Sequence, residues 1–382
     1  MIHVKEAIQI AILVIGNGFD LAHGLQTSYA DFLEFHNLYV ATAEELQNAE
    51  RRNPELTHFV NNLKTVDNDL NREVHNLLAH INVLLTHFHV AYEGQQLNGN
   101  KWVDFESEID RIVQLFENAR MEEKSGNQLL SEKLTKALYP FLTAGHDEVY
   151  PLKQIHIVPA LFEEQARRRL DDLNIITRLI EIYLAAFVDK LHYVDPIQQI
   201  AELPNITHVL SFNYTHTYQR LYGKPDTKYC YIHGEAKEKS SIDRCNLVLG
   251  INEFLQDDAR DKDNAFIWFK KFYQRIYKET DSSYIDWLER HENSRKVYRN
   301  YSSGIPVLDI YFYGHSLDVT DKDVLKKLLL HENARSHIFY RNKDSMARQI
   351  QNLVKIIGEE NLIRMTRGSN RSIIFEPMRH EG

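Results

Sequence analysis

The run Ile8-Gln9-Ile10-Ala11-Ile12-Leu13-Val14-Ile15, closed by Gly16-Asn17-Gly18-Phe19-Asp20, constrains the fold more than any other part of the sequence. Its β-branched side chains are nearly continuous in apolarity, the pattern of a strand covered on both faces in a parallel sheet. Such a run is too short for a membrane span, which takes about 20 apolar residues. It also lacks the basic start and small-residue cleavage site of a secretory signal. The reading is a central first strand, then a tight turn into a helix.

Downstream the periodicity changes. From about Tyr29 to Asn205 apolar residues recur at three and four spacing, notably over Thr57 to Tyr92, Asp104 to Arg120 and Leu161 to Val194. Turn signals fall at Asn98-Gly99-Asn100, Gly126-Asn127 and Asp195-Pro196. Strand signals return at Ile206 to Phe212, Lys228 to Ile232, Leu247 to Leu249, Val307 to Tyr313 and His337 to Tyr340. Helical patterns lie among them at Asp261 to Asn300, Asp318 to Leu330 and Ser345 to Ile357. Alternating strands and helices predict a doubly wound α/β sheet whose ligand sits outside the carboxyl ends of its strands. The expected division is an α/β core of residues 1–37 and 204–382, interrupted by a helical insertion over 38–203.

Composition removes some functions. A net charge of -9 argues against broad phosphate-backbone binding, which needs excess Lys and Arg. The two cysteines, Cys230 and Cys245, exclude a four-cysteine zinc site and fit a reducing cytoplasm, the expected location.

Four motifs stand at expected strand ends. The first is Gly16-Asn17-Gly18-Phe19-Asp20 with Gly24, placed where backbone amides and a helix start can meet a pyrophosphate. Its spacing is not G-x-G-x-x-G, and no acid ends a second strand about 20 residues later, which disfavours a hydride-transferring dehydrogenase. A tight turn that simply needs glycine is the ordinary alternative. The others are Ser211-Phe212-Asn213-Tyr214-Thr215, Ile232-His233-Gly234-Glu235 and Tyr313-Gly314-His315-Ser316-Leu317. Taken singly, each has a plain structural explanation: a cap, a satisfied imidazole, a turn glycine. Asp20 and Asp31 suit either ribose hydroxyls or helix caps. Elsewhere, His75, His80, His87 and His89 are not spaced for one metal. The acidic run Asp104, Glu106, Glu108 and Asp110 suits a helix start, and Arg167 to Arg169 a solvated face.

The segment Ile12 to Leu33, ILVIGNGFDLAHGLQTSYADFL, closely resembles the N-terminal signature of the bacterial abortive-infection AbiH proteins, and Trp102-Val103-Asp104-Phe105-Glu106 resembles another of their features. In order, the four motifs are similar to a diverged sirtuin site. The sirtuin Gly-Ala-Gly turn looks like Gly16-Asn17-Gly18, and its Gly-Ile-Pro-x-Phe like the stretch from Gly24 through Tyr29 and Asp31 to Phe32. Its Gln-Asn-Ile-Asp looks like Phe212-Asn213-Tyr214-Thr215, its His-Gly like His233-Gly234, and its Gly-Thr-Ser-Leu-x-Val like Gly314 to Val319. The resemblance implies a Rossmann-like parallel sheet of sirtuin type with a large helical insertion. It implies Asn213 and His233 as catalytic, and Gly16, Asn17, Gly18, Phe19, Asp20, Gly24, Tyr29, Asp31, Ser211, Phe212, Gly314, His315 and Ser316 as NAD-binding. The sirtuin zinc cysteines are absent and Thr215 stands in place of the aspartate, which points away from deacylation toward NAD hydrolysis.

The expectation is therefore an NAD glycohydrolase of antiphage defence that releases nicotinamide and ADP-ribose and uses no metal. Breaking the glycosidic bond through an oxocarbenium-like state asks for a held ribose and a placed water; an imidazole suits the base and an amide suits the holding role. Expected partners are a phage-derived activator or a defence protein such as an ATPase, and a second copy of the chain, with no membrane. The alternatives are a magnesium-dependent nuclease built on Asp104 and Glu106, and a non-catalytic sensor of NAD or ADP-ribose.

Overall fold

The computed structural model describes residues 10–98, 103–125, 129–143, 159–191, 194–251, 266–298 and 307–379. Trp102, the glycines of two expected turns and the start of the Ile8 run lie outside them. The chain forms two compact units, one of residues 1–27, 188–235 and 279–382, the other of 28–187 and 236–278. Against the expected boundaries, residues 28–37 and 236–278 belong with the helical unit and 188–203 with the sheet.

The α/β unit is built on six parallel strands: β1 (Ala11–Ile15), β2 (His208–Ser211), β3 (Lys228–Tyr231), β4 (Leu308–Tyr313), β5 (Ala334–Tyr340) and β6 (Ile373–Pro377). Their order is β3-β2-β1-β4-β5-β6, so the winding reverses between β1 and β4. An open α/β sheet leaves a crevice at such a switch point. Register makes the point sharper. Ile15 pairs with both Ser211 and Tyr313, and Ser211 pairs with Tyr231, so four strands end level and release their motif loops at one edge.

All five β1 side chains are buried, as the apolar run predicts, and they alternate between two cores. Ile12 and Val14 pack with Leu210, Ile310 and Phe312 against Trp287, Val324, Leu325, Leu328 and Leu353. Ala11, Leu13 and Ile15 pack with Val209, Tyr311 and Tyr313 against Phe19, Ile200 and Tyr218. The first cluster draws on helices α13 (Tyr284–Tyr298), α14 (Lys322–Leu329), α15 (Lys343–Ile357) and α16 (Glu359–Thr366). The second draws on α1 (Asn17–Ala22), α10 (Gln198–Ala201) and α11 (Thr217–Tyr222).

The helical unit holds α2 (Tyr29–Val40), α3 (Ala43–Glu50), α4 (Pro54–Thr65), α5 (Asn68–Leu78), α6 (Val83–Leu97), α7 (Phe105–Lys124), α8 (Glu132–Thr143), α9 (Pro159–Ala186) and α12 (Lys271–Tyr277). The periodic stretch from Thr57 to Tyr92 is cut into three helices because Asp67 and Asn82 cap new starts, accepting the Leu70 and Leu85 amides. Arg178, buried in α9, donates to Glu73 and Glu181 and so satisfies charges that could not be buried alone. The expected strand Leu247 to Leu249 is not one. Its three side chains are buried, but the Leu249 amide and carbonyl bond to the Gln274 side chain instead of a neighbouring strand. Among the described residues no helix is long and apolar enough to cross a membrane.

Candidate functional site

At the level edge of the sheet, the turn after β1 packs backbone to backbone on the turn after β4. The Gly18 amide donates to the Gly314 carbonyl (2.9 Å), and Gly314 sits at φ +66. A Cβ on Gly314 would stand 2.0 Å from the Phe19 nitrogen, and one on Gly18 would stand 2.7 Å from the Gly314 oxygen. The amides of Gly16, Gly18 and Phe19 are already bonded, to Tyr313, Gly314 and Gly16 carbonyls. This backbone-to-backbone contact accounts for the glycines, and it leaves those three amides committed rather than pointing at a ligand. Phe19 is fully buried among His23, Tyr218, Tyr222 and Tyr313 and serves as core. Asn17 Oδ1 accepts the Thr27 hydroxyl (2.7 Å), and Gly24 takes the left-handed conformation after α1 at φ +74.

Residues at the end of β2 reach across to β1. Asn213 is buried and its Nδ2 donates to the Gly16 carbonyl (2.9 Å), while Ser211 Oγ closes a local turn on the Asn213 amide and carbonyl. Phe212 stands edge-on between two imidazoles, His233 (5.3 Å) and His315 (4.3 Å). His233, at the end of β3, is buried with Nε2 3.0 Å from Asp321 Oδ1 at the start of α14, close enough for an ion pair but without the alignment of a hydrogen bond. His315 Nδ1 accepts the Leu317 amide (2.9 Å), which puts the proton of the neutral ring on Nε2, and its carbonyl accepts Gln349. Ser316 is exposed at the same turn.

On the α1 side of the edge, the Thr215 hydroxyl donates to Asp20 Oδ2 (2.5 Å). Burial raises the Asp20 pKa to about 6, against the pull of Thr215 and Thr217. Beside it lies a set of which the motifs contain only Glu235. His216 Nδ1 donates to Asp189 Oδ2 (3.0 Å) and Nε2 to Glu235 Oε2 (3.1 Å). Burial disfavours the charged ring, but the two hydrogen bonds outweigh it and lift the pKa to about 9. Glu235 closes the motif around His233 and His216 follows the one around Asn213, so their nearness to the site was legible; Asp189, in a 3-10 turn at Val188–Lys190, carried no local signal.

Thus Asn213, His233, His315, Asp20, Ser211 and Phe212 converge at one edge. Tyr29 and Asp31 belong to the helical unit: Tyr29 stacks on Phe105 (4.2 Å), and Asp31 closes a capping box with Ser28. The acidic pair read as a magnesium site is otherwise engaged, Asp104 accepting the Glu106 amide at the start of α7 and Glu106 pairing with the buried Lys271 (2.9 Å). Among the described residues no group of three metal-binding side chains converges.

No curated protein and no solved structure matches the chain. A family model does, from β1 through β5, and on that match over residues 12–341 the chain belongs to the bacteriophage abortive infection AbiH family.

Proposed function

We propose that this AbiH protein is an NAD glycohydrolase that acts in abortive infection, with Asn213 and His233 at its reaction centre. The observation that carries the reading is the level edge where an all-parallel sheet in the order β3-β2-β1-β4-β5-β6 collects a buried amide and a buried imidazole with a carboxylate 3.0 Å away, next to the switch point. That strand order is the one used by dinucleotide-binding doubly wound sheets, and it supports a sirtuin-type Rossmann-like assignment. NAD is the substrate here. Because the glycine turn is engaged with Gly314, the nicotinamide-ribose end of the site supports the reading more than the pyrophosphate end does.

In this mechanism Asn213, its Nδ2 fixed on Gly16, presents Oδ1 to a ribose hydroxyl or to the attacking water. His233, with Nε2 turned to the Asp321 carboxylate, takes the proton of that water on Nδ1 as the glycosidic bond breaks. Nicotinamide leaves as a neutral molecule and ADP-ribose remains. His315 and Ser316 lie on the facing turn, and Asp20 supports the Asn213 loop through the Thr215 hydroxyl. The protein works in the cytoplasm, as a homo-oligomer released by a phage-derived activator or a partner such as an ATPase.

The test is nicotinamide release from NAD by purified protein, alone and with lysate from infected cells. Wild type is expected to release it under at least one condition. Asn213→Ala and His233→Ala should each lose about 100-fold or more, the scale of a positioned general base. Turnover persisting in both variants would refute the assigned roles. Binding of NAD or ADP-ribose without turnover under every condition would favour a sensor.

A further inference from the structure

The Asp189, His216 and Glu235 bridge has no part in the chemistry above, yet it joins the loops that carry it. His216 lies three residues past Asn213, in the loop that leaves β2. Glu235 lies two residues past His233, in the loop that leaves β3, where Gly234 adopts φ +82. We propose that His216 is a positioning residue: as an imidazolium held between Asp189 and Glu235, it locks the Asn213 loop to the His233 loop at the spacing the reaction needs.

The geometry excludes two other roles. A ring that donates from both nitrogens carries both protons, so His216 has no lone pair with which to act as a base. The two carboxylates meet opposite sides of the ring, so the three groups do not converge on a cation. The surroundings favour the charged ring. Asp189 faces it from the 3-10 turn, Glu235 from the end of β3, and the Tyr231 ring stands 5.3 Å away. Arg220, from the helix that His216 starts, donates to the Asp189 backbone carbonyl and has Nη2 4.0 Å from Asp189 Oδ1, and Asp20 adds negative charge near Asp189. A neutral ring can donate only once. Losing the second proton, at a pH near 9, therefore breaks one arm: loss from Nε2 frees the two loops from each other, and loss from Nδ1 frees His216 from the 3-10 turn that holds it in place.

This inference rests on the NAD glycohydrolase reading for its catalytic consequence but not for the lock itself, and the test separates them. Full-length wild type, His216→Gln and Glu235→Gln are compared by hydrogen exchange, NMR titration of His216 and NAD turnover. Expected are titration of His216 near pH 9 and exchange at least about tenfold faster over both residues 212–217 and 232–236 in the variants, with β1 and β4 unchanged. The kcat should fall about tenfold or more with KM nearly constant, as for a misplaced group. Wild-type kcat should fall as pH rises through about 9, a limb missing in His216→Gln and moved to lower pH in Glu235→Gln, where Asp189 alone supports the charged ring. Titration near the ordinary histidine value, or unchanged exchange in either loop, overturns the lock. If wild type does not turn NAD over, the glycohydrolase reading fails while exchange and titration still decide the lock. If His216→Gln does not fold, Glu235→Gln decides alone.

Discussion

Between pH 4 and 6 the Asp20 carboxyl holds a proton in the folded protein that the unfolded chain has already released, because burial raises its pKa from 3.8 to about 6. The folded state then binds more protons than the unfolded one, so this group's contribution to stability falls as pH rises through that window and levels off above it. At about 1.4 kcal/mol per pK unit the loss is on the order of 3 kcal/mol. Asn in the same place has no proton to lose. Melting curves of wild type and Asp20→Asn should therefore show the stability of wild type relative to the variant declining from pH 4 to pH 6; a difference that stays flat would remove Asp20 as the cause. Asn213 and His233 were legible as polar residues at strand ends. The bridge was not, since Asp189 is 27 residues from His216 and only the fold brings them together. Glycine spacing suggested a phosphate cradle, whereas the geometry gives those glycines a neighbour, Gly314, that no local pattern reveals.

Elements follow their sequence where the backbone is satisfied by its own kind. β1, β2, β3 and β4 lie within their apolar runs, β5 begins at Ala334, three residues before its run, and the capping residues Asp67 and Asn82 mark helix starts that periodicity alone ran through. β6 escaped notice because Ile373–Pro377 is short and half-buried, with the reduced patterning of an edge strand. Leu247 to Leu249 misled for the opposite reason: burial gave it a strand's composition, but a side chain took the strand's hydrogen bonds. Gln274 accepts the Leu249 amide (3.1 Å) and donates to the Leu249 and Trp268 carbonyls (2.9 and 3.0 Å). Gln274→Leu would keep the volume and leave these buried groups unpaired, at about 1–3 kcal/mol for each one that water cannot reach. The expected loss is about 3 kcal/mol or more in urea unfolding, read as a lower midpoint with an unchanged slope. A variant within about 0.5 kcal/mol of wild type would show that the segment finds other partners.

Over the whole molecule, the family match ends at residue 341, yet the core does not. Leu353, Ile356 and Ile357 of α15, Leu362 and Met365 of α16 and Ile373 of β6 are buried in the same cluster as Ile12, Val14, Ile310 and Phe312. At about 1.5–3 kcal/mol for each fully buried apolar side chain, these six contribute on the order of 10 kcal/mol, as much as a typical domain's entire net stability. β6 alone is a smaller loss. Among the described residues it pairs with β5 alone and buries Ile373, and its Pro377 carbonyl and Glu376 carboxylate accept hydrogen bonds from Gln199 and His337. Two truncations separate these contributions. A chain ending at Arg371 keeps both helices and should still unfold cooperatively, at a lower temperature than the full chain. A chain ending at Arg341 keeps every residue that matches the family model, including Asn213, His233 and Gly314, but leaves the first core uncovered. It should bind a hydrophobic dye, lose near-ultraviolet circular dichroism and show no cooperative melt. Cooperative unfolding of that shorter chain at the full chain's temperature would mean that α15, α16 and β6 are dispensable to the sheet, and that the level edge of β1, β2, β3 and β4 holds its geometry without them.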